Sequence, residues 1–151
     1  MIDMVLAEHP ELALNTLEID RAGPSYTIDS LLQIRGHGDE PLALLLGTDA
    51  FNGFASWKQP QQILELAHLV VCIRPGVEVD PTLYPERRVD SAHQLQQRAA
   101  GAILLFEADA IDCSSSEVRA ALAAGDIPRQ WLHSAVADYI HTHHLYRRSG
   151  D

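Results

Sequence analysis

The sequence predicts an α/β domain with a mostly parallel sheet. Three continuous apolar runs, at residues 42–47, 68–74 and 102–106, have the length of strands buried in a sheet. Patterns typical of helices lie between these runs. Strands that alternate with helices are joined by crossover connections, which make neighbouring strands parallel. These observations favour a layered α/β fold.

The composition places limits on the partners of the chain. Its 151 residues correspond to one domain, 1–151, and a hydrophobic share of 46% is ordinary for a globular protein. The net charge of −10 argues against a nucleic-acid or anionic-membrane surface. No apolar run is long enough to span a bilayer. The two cysteines, Cys72 in an apolar run and Cys113 at a strand end, favour reduced thiols and a cytoplasmic location.

The first third of the chain predicts a helix, a strand and a second helix. Residues 1–8 carry apolar side chains at helical spacing, and residues 12–19 have the composition of a strand. Gly23-Pro24 predicts a turn, after which Ser25 or Thr27 is expected to cap a helix carrying Ile28 and Leu31. The buried strand at 42–47 follows.

Later elements alternate in the same way. Residues 51–57 predict a short irregular or helical turn, and Pro60 is placed as the first residue of a helix ending near residue 67. Residues 77–95 are expected to be mostly loop, with a short helix near 91–99. Gly125 is expected to end the helix that follows residue 114, and a last helix covers about residues 134–143.

The segment from Ser114 to Arg119 joins the last strand to a helix. Ser114 followed by Glu117 predicts a capping box. Ser115 and Ser116 would then lie beside the free N–H groups of the first turn, which bind anions, and Arg119 can reach a phosphate as a planar fork. From these residues alone, a capped helix without a ligand is an equal alternative.

Two further segments follow strands or precede helices. Thr48 and Asp49 end the strand at 42–47, at the edge where open α/β sheets bind ligands. Trp57 could stack on a planar base near the Asp49 carboxylate, although a core aromatic is the alternative. Together with 25–27 and 114–119, these residues could line one crevice. The spacing of His141, His143 and His144 spreads them around a helix and argues against a metal site.

These segments, in this order, resemble those of bacterial nicotinate-mononucleotide adenylyltransferases. The resemblance covers nearly the whole chain, and the combination of motifs is more specific than any one of them. The resembling segments are Arg21-Ala-Gly-Pro-Ser-Tyr-Thr-Ile-Asp-Ser-Leu31, Leu46-Gly-Thr-Asp-Ala50 followed by Trp57, Val70-Val-Cys-Ile-Arg-Pro-Gly76, Ser114-Ser-Ser-Glu-Val-Arg119 and Ala135-Val-Ala-Asp-Tyr-Ile-His-Thr-His-His-Leu-Tyr146.

The resemblance implies a Rossmann-like nucleotidyltransferase fold and a role in NAD biosynthesis. The family transfers the AMP moiety of ATP to nicotinate mononucleotide with Mg²⁺, giving deamido-NAD and pyrophosphate. Carried over by motif, the residues expected to bind the nicotinate nucleotide are Thr27, Asp49 and Trp57, supported by Ser25, Tyr26 and Arg74. Those expected to bind ATP are Ser114, Ser115, Ser116 and Arg119.

The sequence also departs from the family pattern. It contains no Gly-x-Phe-Asp-Pro-x-His-x-Gly-His segment, so the resemblance assigns no catalytic side chain. We therefore expect a domain truncated at its N-terminus, without its first βα unit, whose remaining strands leave a gap in the sheet. Smaller departures are Cys113 for an aliphatic residue, Ser116 for Thr, and Lys58 where an aromatic residue is common.

Two alternative functions remain at this point. A pantetheine-phosphate adenylyltransferase is disfavoured by the segment from Pro24 to Thr27 and by Trp57. A non-catalytic remnant that binds a nucleotide or a partner is favoured by the missing histidine segment, because the loss of one preorganised donor commonly lowers a rate by about 10²–10³-fold. The pocket residues favour the adenylyltransferase.

Overall fold

The computed structural model describes residues 1–36, 38, 40–73, 76–107 and 113–146. The chain divides into two compact units. The sheet unit is Leu17–Ala110, and the helical unit combines Met1–Thr16 with Ile111–Asp151.

The described elements alternate between helices and strands. In chain order they are α1 (Ile2–Leu6), α2 (Leu17–Asp20), α3 (Thr27–Arg35), β1 (Ala43–Gly47), α4 (Thr48–Asn52), α5 (Pro60–Leu66), β2 (His68–Ile73), β3 (Arg88–Val89), α6 (Ala92–Gln96), β4 (Ile103–Glu107), α7 (Ser115–Ala123) and α8 (Ser134–Thr142). Short 3₁₀ turns occupy Phe54–Ser56 and Pro85–Arg87.

The sheet confirms the predicted parallel α/β architecture. Its four described strands lie in the order β1-β2-β4-β3, and every neighbouring pair is parallel. In the register of the sheet, Ala43 pairs with His68, and Leu69 pairs with Ile103. The three apolar runs supply β1, β2 and β4. The two-residue strand β3 lies in the segment predicted to be mostly loop, because its apolar pattern is too short to be recognised.

The strand predicted at residues 12–19 is wrong. Residues 12–16 have no regular structure, and Leu17–Asp20 form a short helix. The apolar side chains of this segment are exposed, at 57% for Leu12 and 82% for Ile19. A β-favouring composition produces a strand only where a neighbouring strand and a buried face are present, and no described strand pairs with this segment.

Among the described strands, β1 lies at the edge of the sheet, and it is not the doubly buried strand that its apolar run predicts. Leu46 is buried, but Leu45, which points to the opposite face, is 66% exposed. The predicted gap is also wrong for the described strands, because they are hydrogen-bonded without interruption from β1 to β3.

The core of the sheet unit lies between the sheet and the helices α3 and α5. Its members come from the inward faces of the strands and helices and from the turn after α4; they are Ile28, Leu31, Leu46, Phe51, Phe54, Ile63, Leu64, Ala67, Leu69, Val71 and Ile103. Full burial of a large apolar side chain stabilises the fold by about 1.5–3 kcal/mol. The segments that begin α3 and α5 are therefore held firmly, and several of the candidate site residues described below lie on or next to them.

Buried polar groups fix the ends of β2. His68 is 2% exposed; its Nδ1 accepts a hydrogen bond from the Ala102 N–H at 3.1 Å, and its Nε2 lies 3.1 Å from the Arg98 carbonyl oxygen. These contacts require the tautomer with hydrogen on Nε2. At the other end, the Thr48 hydroxyl donates to the Cys72 carbonyl at 3.2 Å and so ties the start of α4 to β2.

The helical unit has a smaller core. Among its described residues only Leu122, Ala137 and Ile140 are buried hydrophobic side chains. Helix α7 ends as predicted, with Gly125 at a positive φ of 91° directly after the C-cap. Among the residues that the structure describes, no helix is long and apolar enough to cross a membrane.

Candidate functional site

A cavity of about 250 Å³ lies in the sheet unit, between the start of α3 and the turn that precedes α5. We call it the Trp57 cavity. It brings together four of the residues that the sequence singled out: Ser25, Tyr26, Thr27 and Trp57. Ser56, Lys58 and Ile63 complete its described lining.

Trp57 is both a packing residue and a wall of the cavity. Its ring centroid lies 5.4 Å from that of Phe54, with the ring planes tilted by 59°. Phe54 is fully buried and lies 5.9 Å from the Tyr84 ring. One side of the indole therefore rests on the core while the side chain remains half-buried and lines the cavity. Trp57 therefore packs against the core, as the core alternative predicts, and its stacking on a planar base stays a prediction.

The two serine hydroxyls of the cavity point their hydrogens at the backbone. The Ser25 hydroxyl donates to the Glu18 carbonyl at 3.0 Å, and the Ser56 hydroxyl donates to the Gly53 carbonyl at 2.7 Å. The predicted capping of α3 by Ser25 or Thr27 is wrong. Tyr26 is the N-cap and makes no side-chain cap bond, because Ser25 is engaged by Glu18 and Thr27 is already helical.

Lys58 supplies a positive charge at the same cavity. Its Nζ lies 3.1 Å and 3.4 Å from the two carboxylate oxygens of Asp29, and 4.3 Å from the centroid of the Tyr26 ring. The motifs mark Lys58 only as a departure from the family pattern. The signal that could have identified it is that it is the only lysine in the sequence and directly follows Trp57.

The structure places Asp49 at the start of α4 and not in the described lining of this cavity. Asp49 lies exposed in the first turn of α4, where a carboxylate is favourable to the helix dipole. It is not among the described residues that line the Trp57 cavity. Arg74 lies outside the described residues.

The helical unit contains a second cavity, of about 590 Å³, lined by side chains of α1, α7 and α8 and of the segment between α7 and α8. We call it the α7 cavity. Ser115 and Arg119, both predicted phosphate ligands, line it near the start of α7, and most of the remaining lining is apolar. Ser114 and Ser116 are not among its described lining residues.

The predicted capping box at the start of α7 is confirmed. The Ser114 hydroxyl accepts a hydrogen bond from the Glu117 N–H at 3.1 Å, and the Glu117 carboxylate accepts from the Ser114 N–H at 2.9 Å. The Ser114 hydroxyl also donates to that carboxylate at 2.6 Å. These bonds, from the Ser114 side chain first and its backbone second, lower the pKa of Glu117 below its usual value.

The capping box leaves a smaller anion site than the motif suggests. The Ser114 hydroxyl is engaged in both directions by Glu117. The N–H groups of Ser115 and Ser116, at the first two helical positions, have no partner within an α-helix and point along its axis. The available donors at this helix start are therefore these two N–H groups and the serine hydroxyls, with Arg119 one turn further along.

Comparison with known proteins agrees with these features. Residues 8–121 match the family model described as cytidylyltransferase-like. The chain is 38% identical over 154 residues to a probable nicotinate-nucleotide adenylyltransferase of Acidithiobacillus ferrooxidans, an alignment that covers 97% of this chain and 71% of that protein. A protein of the same name from Marinobacter nauticus is 40% identical over 153 residues, with the same coverage of both chains. The chain belongs to the nicotinate-nucleotide adenylyltransferase family.

Solved structures agree on the fold. A Plasmodium falciparum nicotinic acid mononucleotide adenylyltransferase complexed with APC superposes with a TM-score of 0.68 at 19% identity, over 96% of this chain and 72% of that one. The same protein complexed with NaAD gives the same TM-score over 71% of its length. The predicted Rossmann-like nucleotidyltransferase fold is thereby confirmed. The family resemblance is confirmed by the curated relatives.

The described residues do not form a protein-built metal site. They contain no group of three or more His, Cys, Asp or Glu side chains that could hold a metal ion. His133, for example, is used in capping, where its Nδ1 accepts from the Ala135 N–H at 3.3 Å at the start of α8.

Proposed function

We propose that this chain transfers the AMP moiety of ATP to nicotinate mononucleotide, giving deamido-NAD and pyrophosphate. Membership of the nicotinate-nucleotide adenylyltransferase family supports an enzyme of this kind. The observation that carries the proposal is the Trp57 cavity, in which a half-buried indole and a lysine ammonium group line the same small space. An aromatic face and a cation are the two groups that an anionic, ring-bearing nucleotide requires.

The sheet unit is proposed to bind the mononucleotide. Trp57 stacks on the pyridine ring, and Thr27 contributes a hydroxyl at the start of α3. Ser25 and Tyr26 line the same cavity and shape it. Asp49 and Arg74 remain proposed substrate residues on the strength of their motifs, with Asp49 exposed at the start of α4.

The helical unit is proposed to bind ATP. Ser115, Ser116 and Arg119 hold the phosphates through the N–H groups of the first turn, the serine hydroxyls and the guanidinium fork. For Ser114 we propose an indirect role. Its capping box fixes the first turn of α7 and so positions the N–H groups of the next two residues.

The proposed reaction needs no protein nucleophile. A phosphate oxygen of nicotinate mononucleotide attacks the α-phosphorus of ATP, and the bond between that phosphorus and the bridging oxygen to the β-phosphorus breaks. Pyrophosphate leaves with the bonding electron pair. Positioning and charge neutralisation supply the catalysis in such transfers. We propose that Mg²⁺ enters with ATP and that the reaction takes place in the cytoplasm; the free thiols of Cys72 and Cys113 support a reducing compartment.

The test is pyrophosphate release from ATP in the presence of nicotinate mononucleotide and Mg²⁺. We expect release that requires both nucleotides, with parallel calorimetric titrations showing that each one binds. Binding of both nucleotides without release would favour the non-catalytic alternative. Absence of binding by nicotinate mononucleotide would contradict the proposed function.

A further inference from the structure

Lys58 is the one charged side chain among the described residues that line the Trp57 cavity. The chain as a whole carries a net charge of −10, so its overall field repels anions. An anionic group that enters this cavity must therefore be stabilised by a local donor. Lys58, the only lysine of the sequence, is such a donor.

The other polar groups of the cavity are less suited to this task. Ser25 and Ser56 donate their hydroxyl hydrogens to backbone carbonyls. Redirecting either of them would leave its carbonyl partner without that bond. An ammonium group carries three N–H donors, and the Asp29 carboxylate does not need all of them.

The geometry also holds Lys58 in place. Asp29 lies 3.1 Å from Nζ, and the Tyr26 ring centroid lies 4.3 Å away on the same cavity. The lysine side chain is 43% exposed, so the ion pair and the ring contact position the ammonium group without burying it. A cation positioned before the ligand arrives loses less conformational freedom on binding.

We infer that Lys58 is a specificity-determining residue, which makes the Trp57 cavity prefer a mononucleotide whose ring carries a carboxylate over one whose ring carries a carboxamide. This inference rests on the proposed function, because it assumes that the pyridine ring stacks on Trp57. Lys58 directly follows Trp57 in the chain and lines the same cavity, so a substituent on a ring stacked there lies within reach of the ammonium group.

The physical reason is charge-assisted hydrogen bonding. A carboxylate that accepts from an ammonium group makes a bond about twice as strong as a neutral one. A carboxamide presents a neutral oxygen and an NH₂ group that cannot accept from Lys58. Both mononucleotides carry the same phosphate, so a contact between Lys58 and the phosphate would not distinguish them.

The test compares Lys58→Met with the unmodified protein by isothermal titration calorimetry, using nicotinate mononucleotide and nicotinamide mononucleotide as probes. Methionine keeps an unbranched stem beside Tyr26 and removes the charge. We expect the affinity for nicotinate mononucleotide to fall about tenfold, with that for nicotinamide mononucleotide changed less than about twofold. Lys58→Arg should retain most of the preference.

A matched control removes a cation elsewhere. Arg129 forms a 2.7 Å ion pair with Asp138 in the helical unit, so Arg129→Met makes the same change in net charge outside the Trp57 cavity. We expect it to leave the preference unchanged. An equal loss of affinity for both mononucleotides in Lys58→Met would overturn the inference while leaving the proposed function intact. Failure of the unmodified protein to bind either mononucleotide would overturn the proposed function itself.

A second measurement needs no substitution. Biosynthetic incorporation of lysine labelled with ¹³C at Cε places a single probe in the chain, because Lys58 is its only lysine, and leaves all three N–H donors in place. We expect the Lys58 ¹³Cε resonance to shift on addition of nicotinate mononucleotide and to shift much less with nicotinamide mononucleotide. Equal shifts with both would contradict the inference even if Lys58→Met failed to fold.

Discussion

The Trp57 cavity and the α7 cavity differ in chemistry as well as in size. In the Trp57 cavity, of about 250 Å³, every described lining residue except Ile63 carries a polar side-chain atom. In the α7 cavity, of about 590 Å³, nine of the fourteen described lining residues are Met, Ile, Val or Leu. The first cavity offers several directional contacts to one small ligand. The second is a mostly apolar recess with Ser115 and Arg119 at the start of α7.

The two units also differ in how firmly their cavities are supported. The Trp57 cavity rests on Phe54 and Ile63, which are fully buried members of the main hydrophobic core. The α7 cavity is lined by exposed side chains such as Ile2, at 62%, and Tyr146, at 46%. Selectivity requires fixed walls. We therefore expect discrimination between ligands to come from the sheet unit.

The largest predicted effect tests this difference in support. Phe54→Ala should lower the free energy of unfolding by about 3–5 kcal/mol, because it removes a buried ring that packs on Trp57 and Tyr84. Leu122→Ala should lower the free energy of unfolding by only about 2 kcal/mol. Leu122 already borders the α7 cavity, so its side chain has fewer packing contacts to lose. Urea unfolding followed by circular dichroism measures both. A greater cost for Leu122→Ala would show that the helical unit has the firmer core.

A smaller effect concerns pH and the capping box of α7. Hydrogen bonds from Ser114 lower the pKa of Glu117 below its usual value of 4.5, so the ionised carboxylate stabilises the folded helix. This stabilisation is present above pH 4.5 and is lost as the pH falls through the lowered pKa. Glu117→Gln should therefore be less stable than the unmodified protein at pH 7.

The difference between the two proteins should shrink steadily as the pH falls below 4.5. Thermal unfolding at a series of pH values, followed by circular dichroism, measures it. Other carboxylates, among them Asp80, whose pKa is lowered by hydrogen bonds from Thr82, contribute equally to the pH dependence of both proteins. Their contribution therefore cancels in the difference. A difference that stayed constant from pH 7 to pH 3 would show that the cap does not depend on the charge of Glu117.

The predictable part of the fold is the part that carries strong local signals. Apolar runs located β1, β2 and β4, and Pro60 and Gly125 marked helix ends because their backbone preferences act locally. The strand predicted at 12–19 failed for the opposite reason. Strand formation depends on neighbours elsewhere in the chain, and the composition of a segment does not reveal them.

The candidate site likewise has features that the sequence predicted and contacts that it did not. The motifs identified Trp57, the residues at the start of α3 and the capping box, because each depends on side-chain type at fixed spacing. They did not reveal that the Ser114 hydroxyl is hydrogen-bonded to the Glu117 carboxylate. They also did not reveal that Lys58 forms an ion pair with Asp29 and contacts the Tyr26 ring. The contacts of Lys58 join residues about thirty positions apart, which only the packing of α3 against α5 brings together.

The central claim is that the sheet unit recognises the mononucleotide and the helical unit recognises ATP. Calorimetric titration of Trp57→Ala and Arg119→Ala with each nucleotide tests it most directly. Loss of a stacking aromatic costs about 1–3 kcal/mol per base, so Trp57→Ala should weaken nicotinate mononucleotide binding about 10–100-fold and ATP binding less than about threefold. Arg119→Ala should show the reverse. Equal weakening of both nucleotides by Trp57→Ala would contradict the account and leave Trp57 as a packing residue alone.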